Sequence, residues 1–169
     1  MRRPAADRTR TGCATRPPPA PLDGLGPEGV YIEPEAASRQ DDLITATGGE
    51  GDRVYVRTRG HVLRGESLSY DLAQGTAAAS GRVEVVAPDG TTLYARQIEL
   101  DPDLQLGVAV DLATRLENGA SIMAATAVRR SERVNELNYV IFTPCPICDE
   151  DGPKTPSVSI QAENVVQDE

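Results

Sequence analysis

Tryptophan is missing from this 169-residue chain, phenylalanine and histidine occur once each, and Lys154 is the only lysine. Aromatic residues make up 4% of the sequence. A base-stacking platform for single-stranded nucleic acid needs more aromatics than that. The formal net charge is −9, without the basic patch that would screen phosphates, so nucleic-acid binding is excluded as a reading. Nor does any run approach the roughly 18 apolar residues of a membrane-spanning helix. A single domain is the natural expectation for this length.

The charge that is present is unevenly spread. Residues 1–22 carry Arg2, Arg3, Arg8, Arg10 and Arg16 against Asp7, a net of +4, which leaves −13 for the remainder. The same head contains Pro17, Pro18, Pro19 and Pro21 and has no apolar periodicity. We therefore expect residues 1–28 to be a disordered segment and residues 29–169 to form one β-domain. The start is Arg-rich like a secretory signal, but no apolar stretch of about 7–15 residues follows it. Thr11-Gly12-Cys13 resembles a lipidation site and lacks that stretch too. Two readings stay open, a misplaced start or a lost export signal.

From Gly29 onward the dominant period is two. Val54 and Val56 alternate with Arg53, Tyr55 and Arg57, and Val83 and Val85 with Arg82 and Glu84. Leu93, Ala95 and Gln97 alternate with Tyr94 and Arg96. Alternation rich in Val, Ile, Thr and Tyr predicts half-buried strands. Gly48-Gly49, Gly51-Asp52, Pro88-Asp89-Gly90, Asp101-Pro102-Asp103 and Asn118-Gly119 supply turn chemistry between them. Asp71 to Gln74 reads as a short connector, and no long amphipathic helix is evident. The predicted class is all-β.

A second regularity is superimposed on the alternation. Leu63-x-Gly65-x-x-Leu68 recurs 30 residues later as Leu93-x-Ala95-x-x-Ile98. A further copy is Ile160-x-Ala162-x-x-Val165, and the loosest two start at Ile32 and Ile122. Residues two apart on a strand share a face, whereas a step of three changes face unless the strand bends. The pattern therefore predicts strands bent at a small residue, with both arms turned to one interior. Stacked bent strands make two sheets folded against each other and open along one side, and a repeat of about 30 residues also fits a solenoid. The inward set would include Val54, Val56, Leu63, Leu68, Val83, Val85, Leu93, Ile98 and Ile122. Periodicity alone does not separate a filled aliphatic core from a lined groove.

Little else points to chemistry. Cys145-Pro146-Ile147-Cys148 lacks the second pair or histidines of a zinc site, since only Cys13 and His61 remain. It also does not open a helix in a βαβ unit, as a thioredoxin-type pair would. A local disulfide and thiols awaiting partners elsewhere both stay open for Cys145 and Cys148. His61 reads as a surface or edge histidine, and Asp41-Asp42 and Asp149-Glu150-Asp151 as solvated turns. No catalytic spacing, nucleophile elbow or phosphate loop is present. We expect no enzyme activity, no metal and no cofactor.

The repeat and the cysteine segment together resemble the N-terminal periplasmic (OstA-like) domain of the LptD family of lipopolysaccharide-assembly outer-membrane proteins. The matching stretches are Ile44 to Gly48, Leu63 to Asp71, Ala77 to Val86 and Pro88 to Ala95. More specific is the closing order of Tyr139 to Cys145, then Cys148, then Ser159 to Ala162 and Val165 to Asp168. The family usually has Trp where Val158 stands and often His where Gln167 stands. It also continues into a large transmembrane β-barrel, so the resemblance implies that this chain is a fragment or split gene product.

The resemblance further implies an all-β fold, a β-taco or incomplete β-jellyroll with two facing sheets, and a function. In that family the trough shields lipid A acyl chains while the sugars stay in water. The expectation is non-enzymatic lipopolysaccharide transport at the periplasmic face of the outer membrane. Implied partners are lipopolysaccharide, a periplasmic bridge protein of the same fold joined by edge-strand pairing, and the outer-membrane β-barrel with its lipoprotein plug. Cys145 matches the family's cysteine that bonds to the barrel, and Cys148 is a second thiol found in some members. A free bridging or structural β-solenoid module that assembles edge to edge is the alternative. An enzyme acting on acidic polysaccharide would need a ladder of Asp or basic residues, which the repeat does not show.

Overall fold

A computed structural model describes residues 29–168 except 59, 101–105, 117, 132–133 and 150–151. The expectation of disorder for residues 1–28 lies outside the described residues. The strands are β1 (Val30–Glu33), β2 (Ala36–Gln40), β3 (Leu43–Thr47), β4 (Val54–Thr58), β5 (His61–Gly65), β6 (Ser67–Asp71) and β7 (Ala77–Val86). They continue as β8 (Thr92–Leu100), β9 (Leu106–Arg115), β10 (Ser121–Arg129), β11 (Val134–Thr143), β12 (Cys148–Asp149), β13 (Gly152–Pro153) and β14 (Ile160–Asp168). No helix occurs among the described residues. Twelve strands form one antiparallel sheet, and β12 and β13 form a separate two-stranded ribbon.

Turn chemistry closes the hairpins at Pro88-Asp89-Gly90 and Asn118-Gly119, while the turn expected at Asp101-Pro102-Asp103 lies outside the described residues. Asp89 Oδ1 accepts the Thr91 N–H at 2.8 Å, and Asn118 Oδ1 accepts the Ala120 N–H at 3.0 Å. Gly90 and Gly119 follow with φ of 89° and 84°, values that need a residue without Cβ. Asp71 Oδ1 caps the connector by accepting from Ala73 and Gln74. His61 is exposed at the start of β5, opposite Thr58.

The long strands are bent, and all of them bend on one line across the sheet. In β7 and β8 the pairing Ser80–Gln97 gives way to Val83–Ala95, so Gly81 and Arg82 together oppose Arg96. That is a β-bulge, with both residues at positive φ. The line continues through Asp111 in β9 (φ 54°), Ala125 in β10, Tyr139 in β11 (φ 53°) and Glu163 in β14. Outward charges run along this spine, with Arg82 paired to Glu66 at 2.6 Å and Arg96 to Asp111 at 2.8 Å.

The 30-residue repeat now has a structural meaning. Its apolar-small-x-x-apolar copies lie on alternate strands that share one direction. Their antiparallel neighbours carry the mirror image, as in Ala109-x-x-Leu112 and Leu137-x-x-Val140. Each long strand from β7 to β11 places two buried residues astride its bend, such as Ala95 and Ile98 or Ala124 and Ala127. Both point inward because the bend cancels the change of face. The two facing sheets are thus the arms of one continuous folded sheet.

At β7 the sheet forks. Ala77 to Ser80 pair with β6, which leads to β3 and β2, while Val83 to Val86 border β5, which leads to β4 and β1. Along this fork the strands are interrupted at the bend by Glu66, by the loop 48–53 and by Pro34-Glu35. The Glu66 N–H bridges Ser80 O (3.0 Å) and Gly81 O (2.9 Å), the Gly48 N–H donates to Glu66 O (2.9 Å) and the Glu35 N–H to Thr47 O (3.0 Å). A thin ladder of single bonds therefore carries the corner to the amino-terminal edge.

Candidate functional site

Register places the inward residues of each arm in a continuous row from edge to edge. One arm reads Ile32–Val56–Leu63–Val85–Leu93–Thr114–Ile122–Phe142–Ile160. The other reads Ala37–Ala46–Leu68–Ala79–Ile98–Ala109–Ala127–Leu137–Val165. Apart from Thr114 no residue of either row carries a polar side chain. Charges stay outside, where Glu84 bonds Arg53 at 2.9 Å and Arg64 at 3.2 Å, and Arg64 lies 5.6 Å from the Tyr55 ring centroid.

The rows are sealed in the middle and open at the ends. Ile98 and Ala109 have 0% exposure, whereas Ile32 and Ile160, the terminal members of one row, have 51% and 61%. At the amino-terminal end the forked arms leave a cavity of about 370 Å³ between them. Val30, Ile32 and Val56 line it from one arm, and Ile44, Ala46, Leu68, Tyr70 and Ala77 from the other. Thr58 and Ser69 are the remaining residues of the lining. The Tyr70 ring belongs to a residue that is itself partly exposed at this mouth.

Each inward residue expected from the sequence can now be placed. Val56 and Leu68 line the cavity. Leu63, Val85, Leu93 and Ile122 are half-buried members of the rows, packed on the core. Val54, Val83 and Ile98 are fully buried at or beside the bend. Sequence reading missed Val30 and Ile44, which sit in short strands with little alternation, and the mirror-image strands. Reading the repeat backwards would have found the latter.

The cysteine segment folds over the opposite surface. Thr143, at 0% exposure, donates through its hydroxyl to Val158 O at 2.7 Å and accepts the Cys145 N–H at 3.1 Å. The Lys154 N–H then closes the turn onto Ile147 O at 2.8 Å. Cys145 is a half-buried free thiol, and the Cys148 side chain lies outside the described residues. Among the described residues no three His, Cys, Asp or Glu side chains converge as metal ligands.

No family model matches the chain, and no curated protein matches it. Among solved structures it is similar to LptH of Pseudomonas aeruginosa, described as the LptA homologous periplasmic component of the conserved lipopolysaccharide transport device. The two share 17% sequence identity, the match covers 60% of this chain and 75% of that one, and the TM-score is 0.49.

Proposed function

We propose that the chain is a non-enzymatic lipid-transport module that holds the acyl chains of lipopolysaccharide between its two arms. The observation that carries this reading is the cavity at the amino-terminal mouth, lined mainly by aliphatic side chains from both arms and continuous with the two aliphatic rows. Each methylene moved from water into such a site gains about 0.8 kcal/mol. Rows without donors or acceptors fix no single pose, so a chain can slide along them. The filled middle requires the arms to part about the spine as a chain passes. The OstA-like motifs point to the same ligand, to a periplasmic location at the outer membrane, and to a β-barrel with its lipoprotein plug as the receiving side.

Partners of the same fold would join at the sheet ends. Among the described strands β1 and β2 border the sheet at one end and β14 at the other, each paired with a strand on one side. A module that only polymerises through these edges is the second reading, favoured by the exposed Val30, Ile32 and Ile160 on the same strands. Photo-crosslinking side chains at Val56 and Leu68 separate the two in cells that make lipopolysaccharide. Adducts with lipopolysaccharide at both positions, and none at the outward Arg96, support transport. Protein adducts alone leave the edge-pairing module.

A further inference from the structure

The outer face of the β8–β10 region is not simply solvated. Thr92, Ser121 and Thr143 all point outward by alternation, opposite the inward Leu93, Ile122 and Phe142, yet all three are buried. The turn carrying Ile147 lies over this face and leaves a recess of about 270 Å³. Tyr94, Ala113 and Met123 form one wall row, Arg115 and Ser121 the next, and Ile147 the roof.

Hydrogen bonding singles out one group in this recess. The Thr92 hydroxyl donates to Gly90 O at 3.3 Å, and the Thr143 hydroxyl is used twice by the turn. Ser121 is 2% exposed and its Oγ has no hydrogen-bond partner among the described residues. A buried hydroxyl left unsatisfied costs about 1–3 kcal/mol, so the site gains from any acceptor that reaches it. Arg115 stands opposite Ser121 in the register and lines the same recess. Burial, reinforced by the nearby Glu84 carboxylate, raises the Tyr94 pKa above its ordinary value.

We infer that the recess beneath the Cys145–Cys148 turn is a second binding site, for a small ligand with a compact apolar body and one carboxylate or carbonyl oxygen. The oxygen meets Ser121 and Arg115, and the body fills the space between Met123, Ala113, the Tyr94 ring and Ile147. An apolar cavity of about 150 Å³ accommodates benzene, so this recess admits one ring or a short acyl chain with its head group. Because Ile147 is the roof, an occupant pins the turn and shields the neighbouring Cys145 thiol. This site is separate from the groove and does not depend on the lipid reading.

The test uses the full chain with benzoate, hexanoate and toluene as probes. Benzoate or hexanoate is expected to shift the Met123 methyl resonance saturably, with a Kd of about 1 mM. The same probe should slow alkylation of Cys145, followed by mass spectrometry of its peptide. Ser121→Ala should weaken binding about tenfold while raising the melting temperature of the unliganded chain, because it removes an unsatisfied hydroxyl, and Met123→Trp should abolish binding by filling the recess. Absence of a saturable shift at about 20 mM of either acid overturns the site. So does equal affinity in the parent chain and both variants. Toluene binding as tightly as benzoate overturns the assigned ligand class.

Discussion

Replacing Thr143 by valine isolates one hydroxyl that ties the cysteine turn to the sheet. The two side chains have nearly the same shape, so the change leaves no cavity at a position with 0% exposure. It removes the donor to Val158 O and the acceptor of the Cys145 N–H. Orphaning a buried polar group costs about 1–3 kcal/mol, but Val158 is exposed and water can replace its lost bond. The Cys145 amide is half-buried and pays more of its penalty. The expected sum is about 1–2 kcal/mol, borne by docking of the turn. A loss of that size multiplies local opening about 5–30-fold. Hydrogen exchange at the Cys145 amide and alkylation of its thiol should both accelerate by that factor. Unchanged exchange and alkylation in a folded variant would refute the claim that Thr143 anchors the turn.

Three further perturbations probe the bend, the core and the outer face. Ile98→Ala, at the sealed centre of one row, should cost about 2–5 kcal/mol, seen as a lower denaturant midpoint with little change in slope. At Tyr139, where φ is 53°, glycine should be more stable than valine by about 1–2 kcal/mol in thermal melts. At a regular strand position the order is reversed, so valine outranking glycine would contradict a left-handed corner. Tyr94 ionises in the folded chain above its ordinary value of 10.0 because burial, then Glu84, disfavours the phenolate. Its contribution to stability is complete below pH 10 and is lost as pH rises through the raised value. Tyr94→Phe should therefore flatten the fall in stability above pH 10, measured by denaturant midpoints across alkaline pH.

The strands and their bends were legible because two periods coexist in the sequence. The step of two in Leu93-x-Ala95 names a face, and the step of three to Ile98 requires a corner. The fork at β7 was not legible. Nothing in Ala77 to Val86 says that its two halves take different neighbours, which depends on Glu66 interrupting a distant strand. The cavity at the mouth follows from that fork, and so Val30 and Ile44 escaped notice. The outer recess was hidden for another reason. Thr92, Ser121 and Thr143 alternate as wet-face residues should, and nothing in that alternation announces that all three are buried or that Ile147 returns to line the recess beside Ser121.

The central claim is that alkyl chains occupy the interior between the arms. It is tested most directly by intermolecular nuclear Overhauser effects between dispersed lipid A and the chain labelled at Ile, Leu and Val methyls. The account predicts cross-peaks from acyl methylenes to Ile32, Ile44 and Leu68 at the mouth, and none to Val108 or Val166 on the outer face. Cross-peaks confined to Val108 and Val166, with the mouth methyls silent, would contradict it.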